Sequence, residues 1–386
     1  MLRLFFVSSL CCLLISATGA AEEKILERVS PSAVGMDEAR LERIDRVVAD
    51  GLRRENMPGC VVLVGHKGKV VFEKAYGFRQ LKPQRVPMTL DTVFDLASLT
   101  KPVSTATSIM MLIEQGKIDV DAPASKYLPE FTSHGKDQIT IKQLLTHQGG
   151  LIPDNSIKDY QDGRKVAFQK IHDLSLRAAP GERFMYTDVG FIVLGEIVER
   201  LSGQTQDEFT RKNIFRPLGM METGYTPAET LKERAAVTQE RNETWMQGEV
   251  HDPRAYEMDG IAGHAGLFST AQDLARYAQM VLNGGTLAGT RILKAETIKE
   301  MTQPIEVSSG IRSLGWDKQT GYSSNKGDLL SDQAIGHGGF TGTALWIDPG
   351  QDLFVIFLSN RVHPDGKGSV NSLAGRIATI AAAAIE

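Results

Sequence analysis

The sequence predicts an α+β fold, in which one antiparallel sheet is flanked by N- and C-terminal helices and an all-helical lobe is inserted. Two observations carry this prediction: β-rich runs flank turn residues near both ends of the chain, and the middle shows helical periodicity. Strands from both ends that enclose a helical middle pair most simply in a single sheet. We expect a sheet lobe over about 34–105 and 250–386, and a helical lobe over about 106–249.

A hairpin is predicted near each end of the chain. The β-rich runs 61–64 and 70–72 are separated by a short turn that contains Gly68. Near the other end, the runs 343–347 and 353–358 flank the turn sequence Asp-Pro-Gly-Gln. Both hairpins are expected to contribute strands to the same sheet.

The predicted helices fall into two groups. Residues 37–55 have one apolar helical face, so this helix should lie on the sheet. Residues 372–385 are rich in Ala and Ile and should form a closing helix. The helices expected in the middle and later parts of the chain cover 103–115, 139–146, 189–201 and 271–283.

Composition and the N-terminus limit the location and the partners of the protein. The 386 residues are 42% apolar with a net charge of −4, which argues against a nucleic-acid or anionic-membrane surface. Arg3 precedes an apolar stretch over 4–17, and small residues follow at 18–21, as in secretory signal peptides. We expect residues 1–20 to be removed, no stable membrane span to remain, and the protein to be periplasmic or secreted.

A Ser-x-x-Lys motif in a favourable context occurs at Ser98 and Lys101. Residues three apart on a helix share a face, so the amine can reach the hydroxyl. Partial burial lowers the pKa of a lysine, and a neutral amine can accept a proton from the serine. Ser98 follows the apolar approach 93–97 and opens an apolar helix, whose N-terminus would hold it firmly beside backbone N–H groups.

The Ser-x-x-Lys spacing also occurs elsewhere in the chain, and at Ser98 it has a purely structural explanation as well. It recurs at Ser133 and Ser323, but both lie in polar, loop-like sequence. The structural explanation for Ser98 is a serine that caps a core helix, with Lys101 in solvent.

Tyr186-Thr187-Asp188 precedes a predicted helix and is the second candidate element. A tyrosine on this loop can pass protons between a nucleophile and a leaving group. Asp188 also has a structural explanation, because Asp immediately before a helix is a favoured N-cap. Tyr160 begins a similar Tyr-x-Asp sequence, but in a polar, unpatterned loop.

The third element, His337-Gly338-Gly339, leads into the β-run at 343. Consecutive glycines beside a strand allow another backbone to approach closely, which suits a substrate that docks along a sheet edge. His-x-Gly is a weak pattern by itself, since it also occurs at His66, His147 and His264.

In chain order, these three elements resemble the active-site motifs of the serine β-lactamase and penicillin-binding-protein superfamily. The similarity is greatest to its class C branch, which also contains D,D-carboxypeptidases, D-amino-acid peptidases and esterases. The resemblance runs from about residue 30 to the C-terminus and implies a β-lactamase/transpeptidase-like fold. Supporting segments lie at 144–151, 180–184 and 263–270.

The resemblance also implies roles for individual residues. Ser98 would attack a carbonyl and form an acyl-enzyme, while Lys101 and Tyr186 would share general-base and general-acid work in a division left open. The backbone N–H groups of Ser98 and Phe340 would bind the oxyanion. The substrate-binding positions would be Asp188, His337, Gly339 and Phe340.

Two departures from the class C pattern bear on the expected substrate. Class C β-lactamases have Lys at the position of His337 and Asn at that of Asp188, and a histidine is only partly charged near neutral pH. We therefore expect an esterase or D,D-carboxypeptidase-like hydrolase of small esters, peptides or amides with D-residues, including cell-wall peptides. The alternatives are a class C-type β-lactamase and a non-catalytic penicillin- or cell-wall-binding protein.

The sequence predicts neither a cofactor nor a metal. His251 and Asp252 are adjacent, but no recognisable metal motif accompanies them. His264 is expected to make a structural hydrogen bond, with reach into the cleft as the alternative. The absence of a Gly-x-Ser-x-Gly sequence disfavours an α/β-hydrolase.

Overall fold

The computed structural model of the protein describes residues 26–386. The predicted signal peptide lies outside these residues. No helix within the described part of the chain is long and apolar enough to cross a bilayer. The α-helices are α1 (Glu38–Leu41), α2 (Arg43–Arg53), α3 (Thr107–Glu114), α4 (Ile141–Leu145), α5 (Arg164–His172), α6 (Asp188–Ser202), α7 (Gln206–Thr210), α8 (Glu229–Lys232), α9 (Pro253–Glu257), α10 (Ala271–Leu282), α11 (Ala295–Thr302) and α12 (Asn371–Ala383).

The strands are most numerous at the two ends of the described chain. They are β1 (Gly59–His66), β2 (Lys69–Gln80), β3 (Val86–Pro87), β4 (Phe94–Asp95), β5 (Gly224–Tyr225), β6 (Val237–Arg241), β7 (Thr244–Gln247), β8 (Leu267–Ser269), β9 (Thr286–Leu287), β10 (Thr290–Arg291), β11 (Ile305–Val307), β12 (Gly310–Arg312), β13 (Asp317–Gln319), β14 (Ile335–Gly339), β15 (Thr343–Asp348) and β16 (Leu353–Ser359).

Strands from both ends of the chain form one nine-stranded antiparallel sheet in the order β11-β12-β13-β14-β15-β16-β1-β2-β3. The two predicted hairpins, β1–β2 and β15–β16, are adjacent at its centre. Val62 of β1 lies opposite Lys74 of β2 on one side and Phe357 of β16 on the other. This sheet and the helices around it confirm the predicted α+β class.

The central strands are buried on both faces, and alternate residues enter two different cores. Val62 and Phe357 pack with Val48 of α2 and Ile377 of α12. Residues of opposite parity, such as Leu63, enter the larger core that includes the middle helices. Successive side chains of a strand point to opposite faces, so a strand covered on both sides reads as a continuous apolar run. The N- and C-terminal helices therefore cover one face, as predicted.

The segment predicted to be all helical contains a hairpin, so that part of the prediction is wrong. Strands β6 and β7 pair antiparallel and are joined by Asn242 and Glu243. Both residues have positive φ, at 50° and 62°. Two consecutive residues with positive φ are typical of tight hairpin turns, and Asn tolerates this conformation better than most residues. The sequence analysis did not predict this turn.

Candidate active site

Ser98 lies on a tight turn at the point where a short strand meets a buried helix. Strand β4 ends at Asp95, and Ser98 lies within the 3₁₀ turn Ala97–Leu99 that follows. Ala97 has φ 47°, an unusual conformation for a residue with a Cβ atom. Asp95 stabilises this turn, since its Oδ1 accepts a hydrogen bond from the Ala97 N–H at 2.8 Å. Such strain is typical of residues beside a functional site.

A π-helical turn, Lys101–Ala106, continues into α3, and all six of its residues are buried. Ser98 therefore precedes the helix by one turn instead of opening it. Isolated π-helical turns often occur at functional sites, because the extra residue re-aims the side chains of that turn. Here the π-helical turn places the Lys101 side chain next to Ser98.

Lys101 contacts the Ser98 hydroxyl and lies in a closely fitted polar environment. Its Nζ donates to Ser98 Oγ at 2.8 Å and to the carbonyl of His264 at 3.2 Å, and lies 2.6 Å from Asp188 Oδ1. The first two contacts are hydrogen bonds, and the third is an ion pair with the Asp188 carboxylate. Lys101 is fully buried, so the alternative of a solvated lysine is wrong.

The pKa of Lys101 is raised, opposite to the direction expected from the sequence. Burial by itself lowers this pKa, but the Asp188 carboxylate, together with the neighbouring Tyr186 side chain, outweighs it. A protonated ammonium is thus the resting form near neutral pH. The local sequence indicates that Lys101 is buried, but it does not show that the Asp188 carboxylate is packed beside it.

Asp188 is the first residue of α6 and not its N-cap. Thr187 takes the cap position, and its hydroxyl accepts from the Gly190 N–H at 3.3 Å. The structural explanation offered for Asp188 is therefore wrong. Because Thr187 caps the helix, the Asp188 carboxylate is available to pair with Lys101.

Tyr186 is held in a stack of aromatic rings beside Lys101. The ring centroid of His147 lies 4.4 Å away on one side and that of Tyr322 lies 4.7 Å away. Lys101 Nζ is 5.0 Å from the Tyr186 ring centroid. His147 is fixed in turn, because its Nδ1 accepts the Thr187 N–H at 3.2 Å. His147 thus supports Tyr186, although in the sequence it stood out only through the weak His-x-Gly pattern.

His337 lies on β14 and is neutral. Burial lowers its pKa well below the ordinary value, and the nearby charges of Arg312 and Lys101 act in the same direction. Its Nδ1 lies 2.7 Å from the carbonyl of Gly338. The expectation of a partly charged histidine is therefore corrected: His337 offers no attraction for an anion near pH 7.

The end of β14 is attached to the turn that carries Ser98. Thr343 Oγ1 donates to the Leu96 carbonyl at 3.0 Å, and Thr341 Oγ1 donates to the Asp95 carbonyl at 2.7 Å. A Cβ added at Gly339 would overlap Leu96 O and Thr343 Oγ1. Glycine at this position therefore lets the strand approach the Ser98 turn at backbone contact distance.

Phe340 marks the rim of the cleft. Its side chain is 61% exposed and lies between the His251 ring, at 5.6 Å, and the Arg361 guanidinium, at 4.6 Å. It follows Gly339 directly, at the end of β14. Its ring is thus held at the mouth of the site while its backbone continues the strand.

These elements enclose one cleft of about 420 Å³. It contains five of the predicted site residues and a buried arginine, Arg312, that was not among the residues predicted from the sequence. No local pattern distinguishes Arg312 as functional, because it lies in an ordinary strand sequence. The lining residues are Ser98, Tyr186, Arg312, Asp317, Tyr322, Asn325, His337, Gly338, Gly339, Phe340, Arg361, Gly368, Ser369, Val370 and Asn371.

The rival motifs have other roles. Ser133 is exposed on the surface. Ser323 donates to Asp317 Oδ2 at 2.7 Å, a structural bond in the cleft wall. Tyr160 is fully buried and donates to Asn155 Oδ1 at 2.6 Å.

His264 makes the expected structural hydrogen bond and also contacts the site. Its Nε2 lies 2.9 Å from Asp252 Oδ1, and its carbonyl accepts from Lys101. Ligand atoms of Asp188, Asp252 and His264 lie within 4.8 Å of one another, an arrangement that could hold a cation. The Lys101 ammonium already neutralises Asp188, and a divalent cation there would face that charge. The donor set therefore favours the ammonium.

Comparison with known proteins identifies the family. The family model described as Beta-lactamase matches residues 44–379. A Bacillus subtilis (strain 168) protein named N-acetylmuramyl-L-alanine amidase is 32% identical over 363 residues, which cover 84% of this chain and 81% of that protein. An Escherichia coli (strain K12) protein named putative D-alanyl-D-alanine carboxypeptidase is 31% identical over 384 residues, covering 90% and 88%.

A solved structure agrees with the family match at the level of the fold. A class C β-lactamase superposes with a TM-score of 0.73 at 20% identity, covering 90% of this chain and 97% of that one. This likeness confirms the β-lactamase/transpeptidase-like fold inferred from the three motifs. With the family match over most of the described residues, it follows that the chain is a hydrolase of the Beta-lactamase family.

Proposed function

We propose that the protein is an exported serine hydrolase that acts through an acyl-enzyme on Ser98. The observation that carries this proposal is the 2.8 Å hydrogen bond between Lys101 Nζ and Ser98 Oγ, next to the cleft that Ser98 lines. A buried cation beside a hydroxyl stabilises the alkoxide that forms as the hydroxyl attacks a carbonyl. The backbone N–H groups of Ser98 and Phe340 are the proposed oxyanion donors.

Proton transfer in this proposal starts from a protonated Lys101. Asp188, 2.6 Å from Lys101 Nζ, can take up the lysine proton as the amine accepts the proton of Ser98. Tyr186 would then deliver a proton to the leaving group, and its ring stack fixes it for that step. A water molecule would reverse the sequence and release the acyl group, which returns Ser98 to its free form.

The substrates that we propose are small esters and peptides or amides with D-residues. The relatives named amidase and carboxypeptidase support the peptide and amide classes. Cleavage of an ester and cleavage of an amide pass through the same acyl-enzyme, so one site can serve both. Export is proposed from the N-terminal sequence, which would place cell-wall peptides within reach.

The first test is hydrolysis of p-nitrophenyl butyrate by the mature protein and by Ser98→Ala. We expect kcat/KM to fall at least about 1,000-fold in the variant, since the acyl-enzyme can no longer form. Ser133→Ala, which removes an exposed serine from a rival Ser-x-x-Lys motif, is the matched control and should retain the wild-type rate. Activity that survives in Ser98→Ala would contradict the assignment of the nucleophile.

A second measurement separates the enzyme from a non-catalytic binding protein. Intact-mass analysis after exposure to penicillin reports a covalent adduct, and its loss with time reports deacylation. A lasting adduct on Ser98 without turnover of any ester or D-peptide would favour the binding protein. Turnover with a Ser98-dependent adduct would favour the hydrolase.

A further inference from the structure

His264 is a buried histidine whose side chain takes no part in the proposed catalytic steps. The residue is fully buried, and its Nε2 lies 2.9 Å from Asp252 Oδ1. Among residues 26–386 its Nδ1 has no hydrogen-bond partner, so the bond to Asp252 is the one hydrogen bond that holds the ring. Burial of an imidazole nitrogen without a partner is costly, and apolar packing alone would not require it.

The backbone of His264 contacts the amine of the catalytic pair. Its carbonyl accepts a hydrogen bond from Lys101 Nζ at 3.2 Å, and the same amine donates to Ser98 Oγ at 2.8 Å. The preceding residue, Gly263, is packed tightly, because a Cβ added there would overlap the Phe191 carbonyl. The chain is thus held by close packing just before His264 and by the anchored ring at His264 itself.

Asp252 is a suitable acceptor for the His264 ring. Burial by itself raises the pKa of Asp252, but His264 and the Ala255 N–H hold it below its usual range, so the carboxylate is ionised near neutral pH. Its Oδ1 also accepts the Ala255 N–H at 2.8 Å, as the N-cap of α9. Asp252 is therefore fixed by its own helix and can in turn fix the ring.

The segment that contains Asp252 also contacts the turn that carries Ser98. The His251 N–H donates to Asp95 Oδ2 at 2.7 Å, and the other oxygen of Asp95 stabilises that turn. One segment therefore holds both reacting groups, the hydroxyl through Asp95 and the amine through His264. Small displacements between such groups are costly in rate.

We propose that Asp252 and His264 are positioning residues: by fixing the His264 carbonyl, they hold the Lys101 amine at the nucleophile. This inference rests on the proposed function, because it assumes that Lys101 takes up the proton of Ser98. Neither side chain touches the acyl group, so substrate binding should not depend on this pair. Loss of the pair should therefore lower kcat and leave KM almost unchanged.

The test compares two substitutions that break the Asp252–His264 bond with two that keep it. His264→Leu removes the donor, and Asp252→Ser keeps a favourable helix cap but is too short to reach the ring. His264→Gln places an amide N–H near the position of Nε2, and Asp252→Asn keeps the accepting oxygen. With p-nitrophenyl butyrate, kcat should fall about 10- to 100-fold in the first two and at least about fivefold less in the second two, with KM within about threefold throughout.

His172→Leu is the matched control, because it breaks a second buried pair of a histidine and a carboxylate. His172 Nε2 lies 2.7 Å from Glu196 Oε2, and neither residue is among those that line the cleft. The melting temperature should fall in this variant as it does in His264→Leu, while kcat and KM should stay within about twofold of wild type.

Equal losses of kcat in Asp252→Ser and Asp252→Asn would overturn the proposal, as would a loss that appears in KM instead of kcat or an equal loss of kcat in His172→Leu. Asp252→Ser leaves the buried ring in place, so it decides the question if His264→Leu fails to fold. An unchanged kcat in Asp252→Ser, with hydrolysis that still depends on Ser98, contradicts this inference alone. Activity that survives in Ser98→Ala contradicts the proposed function, so the two failures are distinguishable.

Discussion

At the scale of single residues, the protonation of the site depends on which charges are buried together. Lys101 lies in a position where burial would favour a neutral amine, yet Asp188 keeps it protonated. His337 lies close by, but burial and the neighbouring cations keep it neutral. The site thus holds a paired ammonium beside Ser98 and a buried guanidinium, Arg312, whose nearest carboxylate oxygen, Asp317 Oδ1, lies 3.6 Å away.

Asp188→Asn tests the role of this ion pair. An amide cannot oppose the effect of burial, so the pKa of Lys101 should fall below its wild-type value. Without Asp188 to take up the lysine proton, Lys101 must lose that proton to solvent before its amine can accept the Ser98 proton, so kcat/KM should rise with pH in the variant and stay level in the wild type. The measurement is ester hydrolysis between pH 5 and 10.

Asp154→Asn is the control for this prediction, since it removes a nearby carboxylate that pairs with Arg254 and not with Lys101. That variant should keep the wild-type profile. A wild-type profile in Asp188→Asn would show that Lys101 need not lose its proton to solvent before the reaction.

At the scale of elements, the site depends on the close approach of β14 to the Ser98 turn. Gly339 permits this approach, and two threonine hydroxyls, from Thr341 and Thr343, hold the two segments together. The nucleophile candidate and the proposed oxyanion donor of Phe340 come from segments far apart in sequence. Their relative position is therefore a property of this packing contact.

Gly339→Ala should lower kcat/KM about 100-fold or more. The added methyl group would overlap Leu96 O and Thr343 Oγ1, so β14 or the Ser98 turn must move, and small displacements of reacting groups are costly. Gly224→Ala is the matched control, because no atom lies within 4 Å of the added Cβ and its rate should stay within about twofold of wild type. Equal effects of the two substitutions would contradict this account.

At the scale of the whole molecule, Asp95 joins segments from different parts of the chain. Its carboxylate accepts the Ala97 N–H at 2.8 Å and the His251 N–H at 2.7 Å, and its side chain is buried. Burial raises the pKa of Asp95 to about 6 despite these two hydrogen bonds. The folded protein thus binds a proton at this site more tightly than the unfolded chain does.

Asp95 should make the stability of the whole protein depend on pH. Its folded-state pKa is raised, so its stabilising contribution is complete below the unfolded pKa, near 4, and is lost as pH rises through about 6. The free energy of unfolding of the wild type relative to Asp95→Asn should therefore fall by about 2 kcal/mol between pH 4 and pH 7. Urea unfolding at several pH values measures this difference.

Asp328→Asn, at an exposed position, is the control and should show no such trend. A wild-type-minus-Asp95→Asn difference that stays constant from pH 4 to pH 7 would contradict the raised pKa.

Local sequence patterns were sufficient to predict most of the elements and to select the serine motif whose serine lines the cleft. The β1–β2 and β15–β16 hairpins and the closing helix follow from nearest-neighbour preferences, and the apolar context of Ser98 distinguished it from Ser133 and Ser323. The tight turn between β6 and β7 was missed, because its Asn-Glu pair is a weak turn signal beside the helical segments around it.

The tertiary structure determined the charges of the site. The raised pKa of Lys101, the lowered pKa of His337 and the burial of Arg312 each depend on groups that are distant in sequence and adjacent in space. A pKa reports burial and the charges within a few ångströms, and a cleft exists only where separate segments meet. The motifs therefore indicated which reactive side chains to expect in the cleft, and the tertiary structure determined how their protons and charges are arranged.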